Sequence, residues 1–482
     1  MLNFKTTEMT VAPATIGDDV LESFAAGFRG ALLRAGDEGY DQARAIWNAL
    51  IDKRPALIAR CSGTADVVQA VNFAREHNLL LSVRGGGHNV AGKAICDDGL
   101  MIDLSPMKGI HVDAHRRRVR VQPGVSCGDL DHETQLYGLA MPCGIVSMTG
   151  LAGLTLGGGF GWLTRKHGLT VDNLLSAEVV TAEGLVVRAA DDENPDLFWG
   201  IRGGGGNFGV VTSFEYQLYP LGPEVLAGVL LYPLERADEV LRFYRAFAAG
   251  APDELGSVVV FRLAPVAPFL APAVHGQPVL ALIVCYAGDI EEGQRVLQPL
   301  RSFGDPLADL VRPQPYVAHQ AILDEGQLPG RNYYWKSEYL SEMSNEAIET
   351  AISYSAGIIS PYTRVLVFHL GGAAARVDEM ATAAGNRNAN YVLNIATAWE
   401  NAAATSGVAE NERYIQWTRD FWNDMQPFST GGGYVNFLSA DEGQDRVRAA
   451  YGAEKYARLA ALKNRYDPAN LFRLNQNIVP AG

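Results

Sequence analysis

The residues best placed to do chemistry are Arg84-Gly85-Gly86-Gly87-His88-Asn89, followed about seventy residues later by Gly157-Gly158-Gly159-Phe160-Gly161. Successive glycines carry no Cβ, tolerate positive φ and let backbone N–H groups approach a ligand closely. Such a surface suits a pyrophosphate, and a histidine directly on it touches whatever the loop holds. Neither run leads into Gly-Lys-Ser/Thr, which disfavours a nucleoside triphosphate loop. A dinucleotide held mainly by backbone fits better. His88 itself has three readings: a satisfied turn histidine, a metal ligand, or a residue bonded to a cofactor. Asp97-Asp98 is the only nearby partner for a metal, so none is expected. The stretch from Gly150 to Trp162 holds six glycines in thirteen residues. That is heavy for ordinary core, since each costs backbone entropy, and it reads as a surface for a flat, extended ligand. Gly204, Gly206 and Gly209 satisfy GxGxxG, but a strand follows where a Rossmann turn needs a helix. No GxSxG elbow is present, which argues against an α/β-hydrolase.

The elements that must position these residues can be outlined. Residues 64–77 read as a helix capped by Thr64, with Val67, Val68, Val71, Phe73 and Ala74 on its apolar face. Residues 79–83 form the strand that feeds the first glycine loop. Further strands fall at 100–104 and 119–122, with a helix near 127–137. The segments 179–181 and 185–187 flank a glycine turn as a hairpin, and 210–218 is a long strand. After Leu221-Gly222-Pro223 the pattern changes to long strands (256–263, 278–286, 364–370, 391–399) and long helices (290–303, 342–354, 408–426). That predicts a second, antiparallel sheet covered by helices on one face. A final helix spans about 441–464.

The chain has 482 residues, 48% of them hydrophobic and 20% charged, with a net charge of −14. This is an ordinary globular balance, and an acidic one, so nucleic acid and anionic membrane are not expected partners. Arg116-Arg117-Arg118 reads as a solvated turn. Five cysteines without CxxC spacing suggest neither a disulfide framework nor zinc. Reduced thiols, no apolar leader and no run of eighteen apolar residues point to a cytoplasmic chain.

Taken together, Arg84-Gly-Gly-Gly-His88, Pro142-x-Gly144, Gly157-Gly-Gly-x-Gly161, Arg165-Lys-His167-Gly168-Leu169, Asp172-Asn173, and Arg465-Tyr-Asp467-Pro468-x-Asn470-Leu471-Phe472 with Asn475-Gln476-Asn477-Ile478 resemble the berberine-bridge-enzyme-like flavoprotein oxidases. These have the vanillyl-alcohol-oxidase, or PCMH, type of FAD fold. The resemblance runs from about residue 50 to the end. It implies an α+β fold: a PCMH-type FAD-binding domain of two α+β sub-domains over residues 1–225 (core about 51–221), a substrate domain over 226–433, and a C-terminal segment, 434–482, returning to the first domain. It implies FAD bonded to His88, a link that would raise the flavin's reduction potential. The cofactor wall would comprise Arg84, Gly85, Gly86, Gly87, His88, Asn89, Gly144, Val146, Thr149, Gly150, Gly153, Leu154, Gly157, Gly158, Gly159, Gly161, Trp162, His167, Gly209, Val210, Val211, Tyr434, Asn436, Asn475 and Asn477.

Three departures bear on the chemistry. The position of a second flavin link, cysteine in many members, is Val146 here, so one covalent bond is expected. The last residue of a Tyr-x-Asn-Tyr motif, a general base in many members, is Phe437. An acidic position of some members is Val392. Substitutes for the missing bases are Tyr286, Tyr334, Asn394 and His369, with Asn394 sharing one strand face with Val392 and Ala396. The expected activity is hydride transfer to flavin from a C–H bond bearing a hydroxyl or amine, with dioxygen as acceptor and a small aromatic, amine or secondary-metabolite substrate. A noncovalent flavin reductase of the same fold and a catalytically impaired flavin-binding protein are the alternatives.

Overall fold

The computed structural model describes residues 17–401 and 407–481. Three sheets organise it. Leu57–Arg60, Leu100–Asp103 and Leu81–Arg84 run parallel, with Ala31–Leu33 antiparallel at the edge. The helix Thr64–Glu76 packs Val67, Ala70, Val71 and Phe73 into the same core as these strands. Thr64 is not its cap; Gly63 holds that place, and Thr64 Oγ1 instead donates to Glu178 Oε1 at 2.9 Å, tying the helix to the next sheet.

That next sheet has five antiparallel strands in the order Ile110–Asp113, Arg118–Val121, Val210–Gln217, Leu174–Val180 and Val186–Ala190. The hairpin predicted at its edge is present, with Val180 opposite Val186.

The third sheet is eight-stranded and antiparallel, drawn from residues 224–399. One face carries helices Ala237–Ala249, Ile290–Arg301, Asn345–Ser355 and Gly407–Met425, through Leu241, Leu297, Ile348 and Phe421. The other face meets the glycine-rich part of the chain, with Val258, Val260, Phe368, Val392 and Ala396 packed near Phe160 and Leu163. Asn332–Leu340, the last strand of the sheet, and its neighbour Tyr391–Trp399 are covered on both faces and buried at every position. Burial on both faces erases polar alternation, which is why Asn332–Leu340 was not legible as a strand. Strand Glu224–Pro233 and helix Ala237–Ala249 also escaped the sequence pattern.

The final helix is two, Gln444–Tyr451 and Ala453–Tyr466, broken at Gly452 with φ +76°. The second ends on a fully buried ion pair, Lys463 Nζ to Asp467 Oδ2 at 2.7 Å. Asp467 also accepts the backbone N–H groups of Leu471 and Phe472, and Lys463 donates to the carbonyls of Asn207 and Phe472. The Asp467-Pro468-x-Asn470 motif thus pins the returning C-terminal segment beside Gly206 and Asn207.

Candidate active site

A continuous cavity lies between the glycine loops and the eight-stranded sheet. Its first wall is built by Gly85, Gly86, Gly87, His88, Asn89, Gly144, Val146, Thr149, Gly150, Gly153, Leu154, Gly157, Gly209, Val210 and Val211, and by Tyr434, Asn436 and Asn475 from the C-terminal segment. All were singled out in the sequence. The glycines divide by role. A Cβ on Gly86 would lie 2.4 Å from the Gly150 Cα, so these two are required by backbone-to-backbone packing of their loops. Gly157 is filled by the Asn436 side chain and Gly161 by the Cys143 carbonyl. At Gly153 a Cβ would meet nothing within 4 Å and would stand on the cavity wall. Much of the glycine richness is therefore close packing, and Gly153 marks where the backbone itself faces open space.

His88 sits on this wall, half-buried. Its ring stacks on Trp47 at 4.2 Å and 17°, and its Nε2 is buried with no hydrogen-bond partner. Burial pulls the imidazole pKa down to about 4, so it is neutral at pH 7. Trp47 is stacked in turn on Tyr333 at 3.6 Å. Asn48 beside it donates to the Val90 and Tyr333 carbonyls and accepts from the Tyr333 N–H. Residues 47–48 thus clasp the histidine loop to the sheet. The sequence pattern gave no hint of this.

Tyr434 Oη accepts from the Gly159 N–H and from Asn436 Nδ2, each at 2.9 Å, which leaves its own proton free to donate. Burial raises this phenol to about 12. The second wall comes from the sheet and its loops: Leu323, Gly326, Gln327, Trp335, Arg364, Leu366, Phe368, Asn394 and Ala396, with Phe437. Phe437 packs edge-on to Trp335, Phe160 and Tyr434. Among the described residues no aspartate or glutamate lines the cavity.

Several sequence expectations fall elsewhere. Tyr286 turns to the helix face, against Gly293. Tyr334 points the same way, donating to Asp441 Oδ2 at 2.8 Å and accepting from Arg419 Nε at 3.0 Å. His369 lies 3.2 Å from Arg165 Nη1, and burial with that cation holds it at about 3, too low for a base near neutral pH. Of the four catalytic candidates, Asn394 alone reaches the cavity, and Val392, although on the same strand face, does not line it. Arg84 points back to donate to the Ala43 carbonyl. Gly158 lines a smaller neighbouring cavity, Gly159 and Gly161 stand behind the wall, Trp162 packs on His319, His167 stacks on Tyr219, and Asn477 lies off the wall. Cys143 is buried in the core beside Cys127, so it does not take the place of the cysteine missing at Val146.

Residues 55–190 match the model of an FAD binding domain, and residues 433–479 match that of berberine and berberine-like proteins. An FAD-linked oxidoreductase of Dictyostelium discoideum is 33% identical, covering 96% of this chain and 97% of its own length. (R)-6-hydroxynicotine oxidase of Paenarthrobacter nicotinovorans is 33% identical, with coverage of 94% and 97%. The chain belongs to the berberine-bridge-enzyme-like FAD-linked oxidoreductases. The crystal structure of 6-hydroxy-D-nicotine oxidase from Arthrobacter nicotinovorans superposes with a TM-score of 0.84 at 31% identity, covering 94% of this chain and 98% of that one. An FAD fits the first wall on this structure's own evidence: the orphaned His88 nitrogen, the open Gly153 face and a long cavity edged by backbone.

Proposed function

We propose that this protein is an oxidase that holds FAD through one covalent bond, at His88, and oxidises a small aromatic or amine substrate in the gap between the two walls. The observation that carries this reading is His88, a neutral, half-buried imidazole on the cavity wall, one of whose ring nitrogens, Nε2, has no partner in the protein. A neutral ring nitrogen has the lone pair that bonding to a cofactor carbon requires. The chemistry such a cofactor supplies is removal of a hydride from a C–H bond bearing a hydroxyl or amine, giving a carbonyl or imine, with the two electrons passed to dioxygen as hydrogen peroxide. The chain's own groups orient and desolvate. Trp335, Phe368 and Phe437 exclude water from the gap, and Asn394 offers a hydrogen bond to the substrate heteroatom. With no carboxylate on the wall, the heteroatom proton leaves to water or through the Tyr434 hydroxyl, while an amine that enters uncharged needs no base for hydride loss. Acid precipitation tests the tether: yellow colour should stay with the protein, and free flavin in the supernatant would overturn the covalent assignment.

A further inference from the structure

The sheet wall carries a buried cation that the proposed redox chemistry does not use. Arg364 opens the strand Arg364–His369, where alternate residues Arg364, Leu366 and Phe368 face the cavity. It stands opposite Ala396, and Ala396 opposite Trp335, so the three form one row across neighbouring strands. Arg364 is only 5% exposed. Its Nη1 donates to the carbonyls of Pro361 and Thr363 at 2.6 and 2.9 Å. Gly326 faces Nη2, and a side chain at that position would crowd this edge of the fork, since a Cβ there would lie 3.3 Å from Nη2. On the adjacent strand Val260 pairs with Leu366, which places Arg262, two residues on, on the same face as Arg364. Arg262 is bonded to the Leu263 carbonyl. Among the described residues neither arginine has a carboxylate within ion-pairing distance. Glu325 is exposed and acts on both only through space, and the neighbouring Arg331 is engaged by Glu400 at 3.6 Å. Burial and the two flanking arginines press the Arg364 guanidinium down to about 9, still a cation at neutral pH.

A buried guanidinium with a second, half-buried one beside it and no ion-paired carboxylate is costly, the more so in a chain of net charge −14 that has acidic residues to spare. The planar fork of arginine matches a carboxylate through two parallel hydrogen bonds. Around it Leu366, Phe368, Trp335 and Phe437 are apolar, while Gln327 Oε1 and Asn394 Oδ1 are buried without partners. We infer that the substrate is a flat, largely apolar acid whose carboxylate is gripped by Arg364 and whose hydroxyl or amine meets Asn394 or Gln327. This names the substrate class of the site proposed above and rests on that reading.

The flavin-bearing protein can be titrated calorimetrically with benzoate and with its neutral counterpart benzamide, and likewise with 2-naphthoate and 2-naphthamide. Flavin absorption is recorded in parallel. Each acid should bind at least about ten-fold more tightly than its amide. Arg364→Gln should bring that ratio near one without changing amide affinity, and Arg364→Lys should restore part of it. Equal affinities in the unaltered protein, or no acid binding at roughly 10 mM, overturn the inference without recourse to any variant. So does an unchanged ratio in Arg364→Gln; flavin loss in that variant alongside an unchanged ratio would assign the guanidinium to the cofactor. A colourless protein that still prefers the acids through Arg364 would sink the flavin reading and leave this one standing.

Discussion

The two walls of the cavity are built on different principles. The wall that carries His88 is mostly backbone: glycine loops, a short helix and the returning C-terminal segment, with Tyr434 and Asn436 tied to main-chain atoms. The facing wall is mostly side chain, laid out by strand register and by the turns that carry Gln327 and Phe437, and it keeps unpaired polar ends at Asn394 and Gln327 and an uncompensated charge at Arg364. Backbone atoms are the same whatever the residue, so the first wall suits an invariant ligand portion. Side chains vary freely on a rigid sheet, so the second suits discrimination between substrates.

That contrast can be broken at several points. His88→Ala should abolish covalent attachment outright, leaving acid-precipitated protein white while some flavin still binds reversibly; retained colour would remove His88 from the first wall's function. Lys463→Met strands the Asp467 carboxylate in the core, and urea denaturation should show a loss of about 3–5 kcal/mol, loosening the C-terminal part of that wall. Gly86→Val drives a side chain into Gly150 and should cost about 1–3 kcal/mol by the same measurement. His319 lies behind the cavity against Trp162, held by burial at about 3 with neither ring nitrogen paired. The folded protein refuses a proton that the unfolded chain accepts near pH 6.5, so stability linked to it is complete above that pH and lost as pH falls towards the folded value. In His319→Gln the slope of thermal or urea stability with pH below about 6 should therefore flatten, by at most about 1.4 kcal/mol per pH unit. The smallest effect sharpens the comparison most. Gly153→Ala adds a methyl that touches no protein atom and sits in a helix, where it should gain up to about 1 kcal/mol in flavin-free protein. The same methyl should lower flavin content, and a rise in both would mean that no cofactor lies against Gly153.

The same division explains what could be read from sequence. The first wall is local: a strand, three glycines and a histidine are contiguous, so residues 85–89 and 150–157 were legible along with the PCMH-type fold. Residues of the second wall are far apart in sequence, and they meet through strand register and through the turns that bring in Gln327 and Phe437. Asn394 was reachable by counting alternate residues on one predicted strand, but Trp335 lies on a strand whose two-sided burial hid its period, and Arg364 reads as an ordinary polar strand start. Tyr286 and Tyr334 failed for the same reason, since alternation says which residues share a face and not which face meets the cavity.

The indole of Trp47 is a gauge block. Lodged between the His88 ring at 4.2 Å and the Tyr333 ring at 3.6 Å, and anchored by its N–H on the Gln327 carbonyl, it converts ring thickness into a fixed clearance between the histidine loop and the sheet. The width of the reaction gap at that corner is set by one aromatic side chain rather than by the slack of surrounding loops, and a ring of different size at position 47 would re-space the two halves of the molecule without altering a residue of either wall.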